Sequence, residues 1–207
     1  DTLDLIGRTS NGIDVFLNKI WTHSDFRITT GFVEPHFFAG FSGGPKMIAP
    51  GLAGFKTIMP LHNSEMIKHS KSKWGITKGN PIHDTIREIS SMSAADFSLD
   101  VTINKNHDIT SVYAGDMSKV HTAACRFAKQ TAMREVPHKY DVVITTNSGY
   151  PLDMNLYQSV KGMSAPHQII KNNGIVICAT ECSDGLPNTG KYKEILGSAE
   201  NPAKLLE

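Results

Sequence analysis

No apolar run in this chain approaches the roughly 20 residues that a helix needs to cross a bilayer. Charge of one sign is equally scarce. The 21 lysines and arginines face 20 aspartates and glutamates, a net of +1, so no field draws nucleic acid or an acidic membrane surface. Cysteine is rare: Cys125, Cys178 and Cys182 are an odd set without paired spacing. That argues against a disulfide framework and for a reducing, cytoplasmic setting. A secretory leader is missing too. The first residues, Asp1-Thr2-Leu3, carry no initiator Met and already read as strand and turn, so the expectation is a fragment of a longer protein. Repeats and low-complexity tracts are absent. What remains is 40% hydrophobic and 20% charged, the balance of a globular protein with a sizeable core.

The chain is rich in turn and cap signals. Asn11-Gly12 between two alternating runs predicts a two-residue hairpin turn. Residues Phe26 to Val33 read as a strand delivering the turn Glu34-Pro35-His36, and a glycine-rich loop follows from Gly40 to Gly54. Helix-like sequence then covers Asn63 to Lys71. A helix is marked from Asn80 to Ala94, with Asn80 as N-cap, Pro81 at the first helical position, and Ile82, Ile86 and Ile89 as its apolar stripe. FSLDVTIN and ITSVYAG predict a hairpin turning at Lys105 to Asp108. Asp116 caps a helix to Arg134, with Val120, Ala124, Phe127 and Ala128 inward. Composition shifts near residues 135–140, where a domain boundary is expected. Beyond it, a buried strand from Tyr140 to Asn147, a helix from Asn155 to Asn172 and a second buried strand, IVICAT, predict a parallel pair with a helical crossover.

Chemistry concentrates between Gly31 and His62. The loop Gly40-Phe41-Ser42-Gly43-Gly44-Pro45-Lys46 has the composition of a phosphate cradle, in which glycines let backbone amides approach an anion and Ser42 and Lys46 add donors. It lacks the spacing and the terminal Lys-Ser/Thr pair of a Walker loop. A tight surface turn with a solvated lysine would look the same. His36, at a strand end before two phenylalanines, is a candidate general base, and equally a hydrogen-bonded loop histidine. His62 is a candidate metal ligand without companions nearby. His69, His83 and His107 read as exposed helix or turn residues. Gln158 and Lys161 share one helix face and together suit a small carboxylate. Cys178 reads as core, and Trp74 and Tyr150-Pro151 as packing.

Taken together, Glu34-Pro35-His36, the Gly40 to Lys46 loop, Pro50-Gly51, His62 and Tyr157-Gln158-x-x-Lys161 resemble the lactate racemase family, whose members use a nickel-pincer nucleotide. The resemblance covers essentially the whole chain. It implies an α/β fold of two α/β domains with the active site in the cleft between them. Residues 1–136 would be the remainder of the cofactor-binding domain, and residues 137–207 the start of the substrate-closing domain. It implies that Lys46 carries the cofactor covalently and that His62 is the one protein ligand on nickel. His36 would be one of two acid/base histidines, and Tyr157, Gln158 and Lys161 would line the substrate pocket. Ser42, Gly43 and Gly44 are expected, from loop chemistry, to hold the cofactor phosphate.

The implied activity is racemisation or epimerisation of a 2-hydroxy acid by proton-coupled hydride transfer through a 2-oxo acid, the cofactor carrying the hard step. The implied partners are a small 2-hydroxy acid and the proteins that build the cofactor, with no nucleic acid and no membrane. The family's substrate-binding Asp/Arg pair and its second acid/base histidine would lie upstream of Asp1, and further pocket residues beyond Glu207. The chain alone is therefore expected to be catalytically incomplete. Two other readings stand beside this one. One is a non-catalytic nucleotide- or phosphate-binding module. The other is a hydrolase or lyase with a conventional metal at His62, for which Glu65 is the nearest carboxylate.

Overall fold

The computed structural model describes residues 2–187 and 191–205. The chain is α/β and forms two compact units, Asp1–Arg134 and Glu135–Glu207.

The first unit opens with the antiparallel pair β1 (Leu3–Arg8) and β2 (Asp14–Asn18). Asn11-Gly12 lies in their connection, as expected. The turn spans residues 9–13 rather than two residues, because the Thr9 amide bonds the Ile13 carbonyl at 2.9 Å and the Thr9 hydroxyl accepts from the Ile13 amide. After α1 (Lys19–Thr22), strand β3 (Ile28–Phe32) leads into a small antiparallel pair, β4 (Pro35–His36) and β5 (Gly40–Phe41), with His36 opposite Gly40. A 3-10 turn over Gly44–Met47 follows, then α2 (Phe55–Leu61), α3 (Ser64–Ile67) and α4 (Pro81–Met92). Strands β6 (Phe97–Ile103) and β7 (Ile109–Gly115) form the predicted hairpin, and α5 (Met117–Ala132) completes the unit. One three-stranded sheet has the order β3-β6-β7, parallel at Thr30 opposite Leu99 and antiparallel at Leu99 opposite Ala114.

The helix signals act as their chemistry predicts. Asn80 caps α4 by accepting from the amides of Ile82 and His83, and Asp116 caps α5 by accepting from Lys119. Ile82, Ile86 and Ile89 pack with Val15, Leu17, Ile48 and Leu61 in one buried cluster. A second cluster joins Val33 and Phe41 to Ala124 and Ala128 of α5. Each buried branched aliphatic side chain contributes roughly 1.5–3 kcal/mol of transfer free energy. The loop from His36 to Lys46 joins both clusters, through Ala39 in the first and Phe41 in the second.

The second unit contains β8 (Tyr140–Thr146), α6 (Leu156–Ser164), a 3-10 turn over Pro166–Gln168, β9 (Ile170–Ala179), α7 (Tyr192–Gly197) and α8 (Pro202–Leu205). β8 and β9 pair in parallel across α6, as expected. The helix is shorter than predicted, because Pro166 has no amide hydrogen to continue it. The two strands are not buried: Ile144 is 74% exposed and Ile175 59%. Cys178 is half-buried rather than core, and Tyr150 is exposed rather than packed. No helix among the described residues is long and apolar enough to cross a membrane.

Candidate functional site

His36, Lys46 and His62 all belong to the first unit. The β4–β5 pair turns over Phe37 to Ala39, and this brings the aromatic rings together. Phe38 stands edge-on to His36 at 4.7 Å between ring centroids and edge-on to His62 at 5.3 Å. One phenyl ring therefore separates the two histidines that the sequence singled out. His62 caps the C-terminus of α2, and its Nδ1 lies 2.9 Å from the Ile58 carbonyl oxygen. A carbonyl only accepts, so Nδ1 carries the hydrogen and Nε2 keeps its lone pair. This is the arrangement by which a second partner fixes the tautomer of a metal-binding imidazole. Among the described residues no group of three His, Cys, Asp or Glu could hold a metal. Glu65, the nearest carboxylate in sequence, is exposed and paired with Lys68. A conventional protein-only metal site at His62 therefore lacks its ligands among the described residues, whereas a cofactor that brings its own donors needs only the one nitrogen.

His36 is oriented differently. Its Nδ1 accepts a hydrogen bond from the Ala39 amide at 3.2 Å. The neutral ring therefore carries its hydrogen on Nε2. Lys46 sits in the 3-10 turn, two residues beyond Gly44, on the loop that α4 and α5 pack against.

The amides of the loop expected to cradle an anion have partners within the protein. The Ser42 amide bonds the Glu34 carbonyl at 2.9 Å, and the Ser42 hydroxyl donates to the Phe32 carbonyl while accepting from the Glu34 amide. The Gly44 amide points at the Asp100 carboxylate, 3.1 Å from the nearer oxygen. Those two amides are both engaged, one by a carbonyl and one by a buried carboxylate. The glycines answer to protein neighbours instead. A Cβ on Gly43 would stand 2.6 Å from Val33, and one on Gly44 2.4 Å from the His121 ring. The Ser42 and Gly44 amides, expected to hold a phosphate, are thus engaged by Glu34 and Asp100 in this structure, and the packing of Gly43 is explained by its protein neighbours.

Behind this loop lies a pair of histidines. His83, expected to be exposed, is 1% exposed, and His121 is 5%. Their rings stack at 5.4 Å between centroids and 12° between planes. His83 Nδ1 lies 3.1 Å from the Ala39 carbonyl and His121 Nε2 lies 2.9 Å from the Ser42 carbonyl, so both nitrogens are donors. Burial, first, and the neighbouring histidine push His83 down to about 3, and burial pushes His121 down to about 4. Both rings are uncharged at neutral pH. Cys125 Sγ lies 3.3 Å from His121 Nε2, and burial pushes its thiol up to about 12. Asp100 is fully buried, and burial raises its pKa against the lowering effect of the Gly44 amide. A signal for His121 was present in the sequence: it falls on the same stripe as Ala124 and Ala128. His83 lies beside the Ile82–Ile86–Ile89 stripe, where helical spacing alone does not distinguish a core edge from a solvated face.

In the second unit, Asn155 caps α6 by accepting from the Gln158 amide at 3.1 Å. Lys161 Nζ donates to Gln158 Oε1 at 2.6 Å, so the two share a face as predicted. Gln158 then keeps its amide hydrogens, and the pair offers an ammonium and an amide donor side by side. The Tyr157 ring stands edge-on to Tyr192 at 5.4 Å.

Comparison with known proteins gives a consistent result. Residues 1–75 match the family model of the lactate racemase N-terminal domain, and residues 136–207 that of the lactate racemase C-terminal domain. The lactate racemase of Thermoanaerobacterium thermosaccharolyticum is 40% identical over 193 residues, covering 93% of this chain and 45% of the relative. That of Lactiplantibacillus plantarum is 37% identical over 203 residues, covering 98% and 47%. The solved lactate racemase apoprotein from T. thermosaccharolyticum superposes with a TM-score of 0.93 at 38% identity, over 99% of this chain and 49% of that one. A Thermotoga maritima protein shares the fold at a TM-score of 0.59 and 19% identity, over 70% and 40% of the two chains. The chain spans about half the length of the curated relatives it matches. With both domain models of one family matched in chain order and this structural agreement, the chain belongs to the lactate racemase family.

Proposed function

We propose that this chain carries part of the active site of a racemase or epimerase of 2-hydroxy acids. In this reading Lys46 and His62 hold a nickel-pincer nucleotide, Lys46 covalently through its amine and His62 through nickel. The observation that carries it is the His62 ring, whose Nδ1–H is spent on the Ile58 carbonyl and whose Nε2 is left as a single ligand nitrogen. That fits a metal whose other donors come from the cofactor, and no three-ligand cluster of protein groups stands beside it among the described residues. When bound, the group supplies reversible hydride transfer.

The protein's own residues do the rest. Lys161 and Gln158 hold the substrate carboxylate, which leaves the 2-hydroxyl carbon free to change face while the anchor stays put. In its neutral form His36 offers Nε2–H as a hydrogen-bond donor to the substrate oxygen and cannot itself release that proton. To take a proton at that same nitrogen, its Nδ1 must first release the Ala39 amide. The two phenylalanines beside it, Phe37 and Phe38, pack against the His36 ring at 5.0 and 4.7 Å between centroids and orient it. The phosphate-module reading has less behind it, because two of the amides it needs are engaged internally. The substrate is a small 2-hydroxy acid, with lactate, malate, longer chains and sugar acids all compatible with one carboxylate anchor. Cofactor-building proteins are the required partners, and a cytoplasmic setting follows from the same reading.

The test is an intact mass and peptide map of the protein co-expressed with the cofactor-building proteins. A mass increment on Lys46 is expected, absent in Lys46→Ala. His62→Ala should keep the increment and lose the nickel measured by elemental analysis. An unmodified Lys46, in a host that modifies a known lactate racemase, would sink the reading.

A further inference from the structure

Two bonds on one residue connect the buried histidine pair to the candidate acid/base group. The Ala39 carbonyl accepts from His83 Nδ1 at 3.1 Å, and the Ala39 amide donates to His36 Nδ1 at 3.2 Å. His83 itself is held from below. It stacks on His121, whose Nε2–H is anchored on the Ser42 carbonyl, and Asn80 at the α4 N-terminus accepts from the His83 amide. Asn80 also donates to the Phe38 carbonyl at 2.8 Å, one residue before Ala39. The tip of the β4–β5 turn is therefore pinned at two successive carbonyls by α4 side chains.

We propose that His83 is a positioning residue that sets the tautomer of His36 through Ala39. The Ala39 amide belongs to the Phe38–Ala39 peptide, which Asn80 holds at the Phe38 carbonyl, and His83 holds the next peptide at the Ala39 carbonyl. With both peptides flanking the Ala39 Cα fixed, the amide keeps its direction, and that direction holds the His36 hydrogen on Nε2. His121 serves the same end by keeping the His83 ring in place against the underside of the loop. The absent side chain of Gly44 makes room for it, since a Cβ there would strike the His121 ring. The charged and titratable groups that bear on the pair are Arg87 on α4, Lys46 on the 3-10 turn, Asp100 on β6 and Cys125 on α5. The two cations disfavour a proton on either imidazole, so the Nδ1–H of His83 stays a donor to Ala39 and the ring does not switch between charged and neutral forms near neutrality.

The functional meaning rests on the reading of His36 as an acid/base group, but the test does not. Nitrogen-15 NMR of the histidine-labelled protein reads each tautomer directly, without cofactor or substrate. In the wild type, His36 is expected in a single form protonated at Nε2, and His83 in a single form protonated at Nδ1. His83→Asn keeps a side-chain N–H near the position of Nδ1 and should leave His36 unchanged. His83→Leu removes the donor and should turn the His36 signals into an average of both tautomers. Should His83→Leu fail to fold, His83→Gln, whose amide sits nearer the place of Nε2, replaces it with the same expectation. A mixed or Nδ1-protonated His36 in the wild type overturns the proposal. So does a folded His83→Leu or His83→Gln protein in which His36 keeps its Nε2 form. If only the activity reading fails, these tautomers stand; if the tautomers fail, the activity reading is untouched.

Discussion

His83 and His121 tie residue chemistry to stability. In the unfolded chain each imidazole takes a proton near the ordinary value of about 6.5. In the folded protein burial holds His83 down to about 3 and His121 down to about 4. Between those limits the unfolded state binds more protons than the folded one, so stability falls as pH falls through the window. Above pH 6.5 the two contribute no pH dependence. Below it, each adds a slope of up to about 1.4 kcal/mol per pH unit. Urea midpoints measured from pH 7 to pH 4 should drop steadily, and the drop should shrink in His121→Gln, which cannot be charged. Midpoints that stay level down to pH 4 would show that the rings titrate normally and are not buried as described.

At the scale of elements, α4 is the piece that brings sequence and site together. Its N-cap, Asn80, is fully buried. Oδ1 accepts from the Ile82 and His83 amides and from the Ser72 hydroxyl, and Nδ2 donates to the Phe38 carbonyl at 2.8 Å and the Ile76 carbonyl at 3.0 Å. Losing the cap costs about 1 kcal/mol, and two buried carbonyls without a donor cost about 1 kcal/mol or more each. Asn80→Ala is therefore expected to destabilise the first unit by about 2–4 kcal/mol. Asn80→Ser, which can still cap but cannot reach the carbonyls, should recover about 1 kcal/mol. Tryptophan fluorescence during denaturation reports on this directly, because the chain's 2 tryptophans, Trp21 and Trp74, are both in the first unit. The cap was legible in the sequence as Asn before Pro, a local signal. Its second job was not, because Phe38 is far away along the chain and its carbonyl has no sequence signature.

Across the whole molecule, apolar burial is uneven. Among the described residues, two clusters of buried hydrophobic residues lie in the first unit. In the second unit β8 and β9 form a two-stranded sheet with Ile144, Ile175 and Ile177 exposed. Hydrogen exchange is expected to be faster in the amides of β8 and β9 than in β6 and α4, since local stability follows buried contact. Equal protection in the two units would contradict this. The sequence by itself determined what depends on neighbours along the chain. The caps at Asn80 and Asp116, the hairpin at Lys105 to Asp108, the α/β crossover and the shared face of Gln158 and Lys161 all rest on periodicity and turn chemistry that act within a few residues. Tertiary structure alone decided what depends on close approach between distant segments. It turned the Ser42 and Gly44 amides inward to Glu34 and Asp100. It buried His83 against His121 and hung both on carbonyls of the loop that carries His36 and Lys46. A hydrogen bond to a backbone carbonyl leaves no mark on the identity of the residue that supplies it, and for that reason these contacts were invisible until the chain was folded.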